Sequence, residues 1–182
     1  MALQSGMVPL GAPLPEATLL DLDETLVDLH EYAEGHPLLV VFACNHCPYV
    51  RWIEQDLGHV IAAAPELRTV AINPNDADAY PEDSPEGMRE QAARAGWDFP
   101  YLIDAEQTVA RGFGAVCTPD LFLYDRAGVL AYRGAFDGST PKNGQPRTGE
   151  LLTAAIQHVL AGQPVPEPHR PSMGCSIKWR QS

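Results

Sequence analysis

The sequence predicts an α/β protein whose mixed central sheet is flanked by helices. Residues 38–43 form an unbroken apolar run, which is typical of a strand buried on both faces. A segment with helical periodicity and a second predicted strand at residues 67–72 follow, giving a strand-helix-strand unit. Two later runs flank a turn signal at residues 125–128 and predict an antiparallel hairpin. The sheet is therefore expected to contain both parallel and antiparallel neighbours.

The segments around the first buried strand predict a β-hairpin before it and a helix after it. Residues 18–22 and 24–29 alternate between polar and apolar side chains around a turn. Pro48 suits the first turn of a helix, because the N–H that it lacks would have no helical partner. The helix is expected to bury one apolar stripe, formed by Ile53, Leu57, Val60, Ile61 and Ala64.

An acidic segment separates the second strand from the next helix. Residues 73–84 contain four carboxylates, which are Asp76, Asp78, Glu82 and Asp83. Tyr80 and Pro81 stand where a calcium loop requires an oxygen ligand and a turn glycine. We therefore expect a solvated acidic loop rather than a calcium site.

Capping residues mark the helices of the second half. Ser84 predicts a helix start and Gly96 its end, and a short helix is expected at residues 108–113. Thr148 is expected to cap a last helix that ends at Gly162.

The chain divides into three parts. Residues 1–17 form an N-terminal extension, and residues 18–162 form one domain with a single core. Residues 163–182 form a Pro-rich tail that carries Cys175 and should be extended rather than helical.

The charge balance argues against nucleic acid as a partner. The 182 residues include 12 basic and 24 acidic side chains, a formal net charge of -12 that repels phosphate backbones and anionic membranes. Residues 1–20 contain no Lys or Arg and several prolines, so they do not resemble a signal peptide. No apolar run approaches the ~20 residues of a membrane span. We therefore expect a cytoplasmic protein without nucleic-acid or membrane partners.

Two thiols lie where the buried strand gives way to the helix. Cys44 and Cys47 are three residues apart, a spacing that places side chains of a first helical turn on one face and allows a disulfide. Free N–H groups and the positive end of the helix dipole favour a thiolate there. His46, as a cation beside the helix start, is expected to stabilise the Cys44 thiolate.

Three segments carry a family resemblance. They are residues 42–50 (FACNHCPYV), 115–120 (AVCTPD) and 174–179 (GCSIKW). Together they resemble the thioredoxin-like redoxins of the alkyl hydroperoxide reductase and thiol-specific antioxidant group, in a bacterial branch with an Asn-His pair between its cysteines. The likeness runs from about Thr18 to Trp179. It implies the thioredoxin fold and a thiol–disulfide oxidoreductase, with no metal or organic cofactor.

The resemblance also implies a role for each residue of the site. Cys44 would be the exposed attacking thiolate, and Cys47 the more buried thiol that resolves the mixed disulfide. Pro119 would be a cis-proline opposite them, so that the Thr118 backbone can pair with an incoming substrate peptide. The implied partners are a disulfide-containing protein or small molecule and a thiol electron donor, and the oligomeric state stays open. Thioredoxins place a buried acid on the strand before the cysteines, but this strand offers only Leu and Val.

Two alternatives on the same fold stay open, a thiol-dependent peroxidase and a module that binds zinc or copper. A thiol-dependent peroxidase of the peroxiredoxin type requires Pro, then Thr or Ser, before its cysteine, and Pro37 is present while Val41 occupies the hydroxyl position. A zinc site could use the four cysteines, although their spacing lacks a second close pair. Copper binding like that of Sco-type thioredoxin-fold proteins would suit thiolate and His ligands.

Two further cysteines are candidates for an auxiliary redox role. Cys117 lies two residues before Pro119, and packing beneath the site as a small apolar residue would also explain it. The leader of Cys175 can span up to ~40 Å at ~3.1 Å per residue, more than the ~16 Å radius of such a domain. We expect Cys175 to dock near Cys44 or Cys117 and to form a second redox pair.

Overall fold

Strands and helices alternate along the computed structural model, which describes residues 1–181. Ser182, the last residue of the predicted tail, lies outside the described residues. The strands are β1 (Ala2–Gln4), β2 (Thr18–Asp21), β3 (Leu26–Asp28), β4 (Leu38–Phe42), β5 (Arg68–Asn73), β6 (Tyr101–Ile103), β7 (Cys117–Thr118), β8 (Asp120–Tyr124), β9 (Leu130–Gly134) and β10 (Met173–Ser176). The helices are α1 (Leu29–Ala33), α2 (Pro48–Ala62), α3 (Pro85–Ala95), α4 (Thr108–Phe113) and α5 (Glu150–Leu160), with a 3-10 helix at Pro81–Asp83.

The predicted buried strand lies at the centre of a seven-stranded mixed sheet, in the order β3-β2-β6-β5-β4-β8-β9. β4 pairs in parallel with β5 and antiparallel with β8, and all five of its residues are buried. The β2–β3 and β8–β9 hairpins form its edges. The predicted mixed sheet and its N-terminal hairpin are confirmed.

Alternate residues of β4 divide the core between the two faces of the sheet. Leu39 and Val41 belong to a cluster with the apolar stripe of α2 and the buried face of α5. Val40 and Phe42 belong to a second cluster, where Phe113 of α4 packs edge-on against Phe42. Helices therefore cover both faces, as an all-apolar central strand requires.

Both termini join a second, smaller sheet, in the order β1-β10-β7. β10 lies between β1 and β7 and is antiparallel to both. The tail is extended rather than helical, as predicted, but its strand and β1 were not predicted. Segments of three or four residues give too little periodicity to reveal strands that pair over such a long sequence separation.

The cap prediction holds for one helix and holds only in part for another. Ser84 caps α3 by accepting a hydrogen bond from the Gly87 N–H, and Gly96 ends it in the left-handed region. Gly149 rather than Thr148 is the N-cap residue of α5, although the Thr148 hydroxyl accepts a 3.4 Å hydrogen bond from the Glu150 N–H. Asp137 causes the difference: its Oδ2 accepts hydrogen bonds from the N–H groups of Thr148 and Gly149 and fixes this turn.

None of the helices within residues 1–181 has the length and apolar character needed to cross a membrane.

We predict that Gly87→Ala destabilises the protein by about 1–3 kcal/mol, the usual effect of overpacking. A Cβ at residue 87 would lie 2.0 Å from the backbone oxygen of Glu82, so α3 would have to move away from the 3-10 helix. Urea unfolding followed by circular dichroism measures the change.

The matched control is Gly112→Ala in α4, where a Cβ would meet nothing within 4 Å. Alanine is the better helix former, so this variant should be more stable by up to about 1 kcal/mol. Equal midpoints for the two variants would contradict the packing argument.

Candidate active site

The loop between β4 and α2 carries Cys44, Asn45 and His46, and one buried carboxylate shapes it. Asp83 Oδ1 accepts hydrogen bonds from the backbone N–H groups of Asn45 (2.8 Å) and His46 (3.0 Å). The Asp83 side chain comes from the 3-10 helix that precedes α3, and the residue is only 1% exposed. This part of the predicted solvated acidic loop is therefore wrong: Asp83 is an internal anchor, since buried N–H groups need an acceptor.

The second oxygen of Asp83 binds two side chains. It lies 2.5 Å from His46 Nδ1 and accepts a hydrogen bond from the Asn75 amide at 2.9 Å. The hydrogen bond to Asp83 raises the pKa of His46. Burial alone would raise the pKa of Asp83, but its bonds to His46 and Asn75 outweigh burial and lower it. The two groups therefore form an imidazolium–carboxylate pair.

Helix α3 holds the same loop from another direction. The Gln91 amide donates to the Cys44 carbonyl at 3.0 Å, and Arg94 donates to the Asn45 side chain at 2.8 Å. Arg94 also forms an ion pair with the buried Glu54 of α2, at 2.6 Å. The loop is thus fixed by groups from two helices in addition to Asp83.

Cys44 and Cys47 are both fully buried, each with 0% exposure. The expectation that Cys44 is the exposed thiol is therefore wrong. The Cys44 sulfur lies 3.4 Å from the Thr118 hydroxyl and 3.9 Å from His46 Nδ1. The Cys47 sulfur lies 3.1 Å from the Thr118 carbonyl oxygen. Both sulfurs thus face the residue before Pro119.

The two thiols differ in their relation to the helix. α2 begins at Pro48 with Cys47 as its N-cap residue, whereas Cys44 lies three residues earlier, in the loop. The two cysteines therefore do not share a first helical turn. Asp83 brings the two sulfurs together, because its hydrogen bonds to Asn45 and His46 hold a bend that turns the Cys44 sulfur towards Cys47.

The surroundings of Cys47 favour its thiolate. A hydrogen bond from the Cys44 thiol is the largest cause that lowers the pKa of Cys47; the Cys175 thiol and the Val50 backbone N–H also lower it, against the effect of burial. The Thr118 carbonyl favours the thiol form of Cys47, because it accepts a hydrogen bond from that thiol. This single acceptor is outweighed by the donors around the sulfur and by the positive end of α2, which favour the thiolate.

The surroundings of Cys44 favour its thiol. Its hydrogen bond to Cys47, its burial and the charge of Asp83 raise the pKa of Cys44 well above the ordinary value. These surroundings do not favour the expected stabilisation of a Cys44 thiolate by His46. His46 is bound to Asp83, and the negative charge of Asp83 raises the pKa of Cys44 rather than lowering it.

The Thr118–Pro119 peptide bond is cis, as the resemblance implied. The edge of Thr118 that was expected to receive a substrate peptide is filled by the chain itself, because Cys175 of β10 lies opposite Thr118 in antiparallel register. Gly174 permits this approach, since a Cβ there would lie 2.0 Å from the Thr118 carbonyl oxygen. Cys175 therefore docks at the site, but its sulfur neighbour is Cys47 rather than the expected Cys44 or Cys117.

Cys117 lies beneath the site and is fully buried. Burial and the nearby charge of Asp120 raise its pKa, so it stays a thiol. Its sulfur lies 3.7 Å from the Pro119 carbonyl oxygen. These surroundings agree with its expected place as a small apolar residue under the cis-proline.

Sequence reasoning missed three buried acids near the site, Glu54, Asp83 and Asp120. Burial raises the pKa of Asp120 to about 8, against the backbone N–H groups of Val116 and Leu121, which lower it. The available signal for Asp120 was its place at the start of an apolar strand, and for Glu54 its place beside the apolar stripe of α2. Asp83 gave no such signal, because three other acids surround it in the sequence.

Three donor atoms in the site, from Cys44, His46 and Asp83, lie within 4.8 Å of one another. Such a set suits zinc or copper. However, both oxygens of Asp83 already accept hydrogen bonds, and His46 Nδ1 is bound to one of them. A metal would have to displace these bonds, so we assign the cluster to the positioning of the loop.

Solved structures with the same architecture fall into two groups. An uncharacterized conserved protein from Geobacillus kaustophilus is 44% identical, with a TM-score of 0.96 over 100% of this chain and 98% of that chain. A hypothetical protein from Sinorhizobium meliloti is 42% identical, with a TM-score of 0.94 over 98% of this chain and 99% of that chain. No curated protein sequence matches the chain.

The second group shares the fold at low identity. A secreted Mycobacterium tuberculosis disulfide oxidoreductase homologous to E. coli DsbE is 18% identical, with a TM-score of 0.62 over 78% of this chain and 95% of that chain. The fold is therefore the thioredoxin fold. The model of the AhpC/TSA family matches residues 10–133, which include the cysteine loop, α2 and the cis-proline. The chain therefore belongs to the AhpC/TSA family of thioredoxin-like redoxins.

Proposed function

We propose that the protein is a thiol–disulfide oxidoreductase in which Cys47 attacks and Cys44 resolves. The observation that carries this proposal is the Cys47 sulfur at the start of α2, with two thiols and a backbone N–H directed at it. The thiolate is the nucleophile of thiol–disulfide exchange, and Cys47 is the sulfur whose pKa is lowered. The two cysteines thus exchange the roles that the resemblance implied.

The reaction proceeds in two exchanges. The Cys47 thiolate attacks one sulfur of a substrate disulfide, breaks the S–S bond and releases one substrate thiolate. Cys44 then attacks the Cys47 sulfur and releases the second substrate thiolate, which takes the Cys44 proton. The substrate gains two electrons and the enzyme holds a Cys44–Cys47 disulfide, which an external thiol donor reduces.

The burial of the site favours a small-molecule disulfide over an extended protein segment. Both reacting sulfurs have 0% exposure, and β10 already pairs with the Thr118 edge. A protein substrate would have to displace that strand before its backbone could pair there. A small disulfide needs only a local opening beside the strand.

Peroxide reduction is the second candidate, and two observations favour it. Hydrogen peroxide is small enough to reach a fully buried thiolate, and the Thr118 hydroxyl, 3.4 Å from the Cys44 sulfur, could orient it. The Cys47 thiolate would attack one peroxide oxygen, break the O–O bond and release the other oxygen as water, which leaves a sulfenic acid on Cys47. Cys44 would then attack the Cys47 sulfur and release a second water to give the same disulfide. The relative rates with peroxide and with disulfides separate the two activities.

We propose a positioning role for His46, through its pair with Asp83. Its imidazole ring stacks on Tyr80 with a centroid separation of 5.4 Å, while Nδ1 holds the carboxylate. The pair stabilises the bend of the loop and thereby the approach of the two sulfurs.

The roles of the two sulfurs are tested by trapping. We predict that Cys44→Ser, made in a Cys175→Ser background so that no second thiol lies beside Cys47, accumulates a mixed disulfide on Cys47, up to one substrate half per chain, when the reduced protein meets hydroxyethyl disulfide. Cys47→Ser in the same background should form no adduct, because the remaining Cys44 has a raised pKa. Intact-protein mass spectrometry measures both.

Circular dichroism of the two serine variants controls for loss of fold. An adduct on Cys47→Ser but not on Cys44→Ser would assign the attack to Cys44. No adduct on either variant, with rapid oxidation by hydrogen peroxide, would favour the peroxidase.

We predict that the stabilising effect of the His46–Asp83 pair depends on pH. The pKa of His46 rises from 6.5 on folding, so its contribution is complete below about pH 6.5 and is lost as the pH rises through the folded value. The pKa of Asp83 falls from 3.8, so its contribution is complete above about pH 3.8 and is lost as the pH falls through the folded value.

Urea unfolding of His46→Phe between pH 3 and 9 measures this effect, since phenylalanine keeps the ring and removes the donor. The free energy of unfolding of His46→Phe should be lower than that of the unsubstituted protein by about 1.5–3 kcal/mol between about pH 3.8 and pH 6.5, and the difference should shrink at lower and at higher pH. Tyr80→Phe, which keeps the stacking ring, should show no such pH dependence. A pH-independent loss in His46→Phe would contradict the charged pair.

A further inference from the structure

The four cysteine residues differ in their access to solvent. Cys44, Cys47 and Cys117 have 0% exposure, whereas Cys175 is only partly buried. A thiol donor in solution therefore meets Cys175 before it meets the proposed catalytic pair. Cys175 is the sulfur of this chain that connects the site with the surface.

The tail strand holds Cys175 in a fixed place. β10 is paired on one side with β1 and on the other with β7, which puts Cys175 opposite both Ala2 and Thr118. The close contact of Gly174 with the Thr118 carbonyl leaves no room for any larger residue at 174. The strand thus occupies the position that an extended substrate would take in front of the cis-proline.

Contacts on both sides of the strand fix it further. Before it, the Ser172 hydroxyl donates to the Pro119 carbonyl at 2.7 Å. After it, the Ile177 N–H donates to the Val116 carbonyl at 3.1 Å, and the Ile177 side chain is buried. The Lys178 N–H then donates to the Asn75 side chain, which also binds Asp83. The tail is therefore built into the site.

Cys175 lies next to Cys47: it is paired with Thr118, whose carbonyl oxygen is 3.1 Å from the Cys47 sulfur, and it packs against the cluster that contains Cys47. The Cys175 thiol also lowers the pKa of Cys47, as the Cys44 thiol does. Cys47 thus has two thiols within reach, one buried and one open to solvent. Two thiols competing for one sulfur is the arrangement that a disulfide exchange requires.

We propose that Cys175 is a third redox-active thiol, which attacks the Cys44–Cys47 disulfide at Cys47 and so forms a Cys47–Cys175 disulfide that thiols in solution can reduce at the partly exposed Cys175 sulfur. The proposal rests on the proposed function, because that function supplies the first disulfide. It adds the route by which electrons from a low-molecular-weight thiol enter a buried site.

The exchange balances without a further oxidant. The Cys175 sulfur forms a bond with Cys47, the bond between Cys47 and Cys44 breaks, and the Cys175 proton passes to the departing Cys44 thiolate. An external thiol then attacks the partly exposed Cys175 sulfur and releases the Cys47 thiolate. A second external thiol removes the first as a disulfide and leaves Cys175 reduced.

The charge state of Cys47 determines when this exchange can occur. Burial raises the pKa of Cys175 to about 11, together with its hydrogen bond to Cys47 and the charge there. In the reduced enzyme Cys175 is therefore a donor rather than a nucleophile. Once Cys47 is in a disulfide its charge is gone, so the pKa of Cys175 falls and attack becomes possible.

Disulfide mapping of the full chain tests the proposal. Limited oxidation with diamide, acid quenching and mass spectrometry should find both the Cys44–Cys47 and the Cys47–Cys175 disulfide in the unsubstituted protein. Cys44→Ser should contain only Cys47–Cys175. In Cys175→Ser the first disulfide should still form, but its reduction by glutathione should be slower by at least about tenfold, because access limits exchange. Cys117→Ala is the matched control and should behave as the unsubstituted protein.

Each other outcome overturns the proposal in a distinct way. A free Cys175 thiol in both the unsubstituted protein and Cys44→Ser removes it, while a Cys44–Cys47 disulfide in the oxidised unsubstituted protein would leave the proposed function in place. An unchanged rate of reduction in Cys175→Ser removes the route to the surface even if the second disulfide forms. Disulfide mapping of the unsubstituted protein tests the proposal even if a variant fails to fold.

Discussion

The Asp83 carboxylate is the interaction on which the site depends. It accepts four hydrogen bonds, two from the loop backbone and one each from His46 and Asn75. A buried carboxylate is costly unless it is paired and fully hydrogen-bonded, and each of these donors would be equally unsatisfied without it. The loop and the carboxylate therefore stabilise each other, and the bend between the two cysteines follows from that mutual requirement.

The bend separates the chemical roles of two otherwise similar sulfurs. Cys47 stands at the helix start, where backbone N–H groups have no helical partner, whereas Cys44 lies in the loop beside the negative charge of Asp83. The same carboxylate that brings Cys44 near Cys47 thus also keeps Cys44 protonated. Cys44 can then donate to Cys47, so one anchor supports both the nucleophile and its partner.

The two ends of the chain close the site. β10 pairs with β7 and covers the residue before the cis-proline, and β1, from the opposite end of the sequence, pairs with the other edge of β10. The family resemblance implied that a substrate strand would take the edge at Thr118, and here Gly174 and Cys175 occupy it. The place of Cys175 follows from this packing, and so does the preference for small substrates that we propose.

Local sequence patterns determined most of the architecture. The apolar run of β4, the stripe of α2, the Ser84 cap and the turn between β8 and β9 are each set by neighbouring residues, so their periods predict them. The spacing of Cys44 and Cys47 indicated that they belong to one site, and the reach of the tail allowed Cys175 to dock there without specifying Cys47 as its neighbour. Tertiary structure alone decided which thiol stands at the helix start, that Asp83 is buried rather than solvated, and that β10 fills the Thr118 edge. Each of these depends on contacts between residues far apart in the chain, whose free energy no local pattern records.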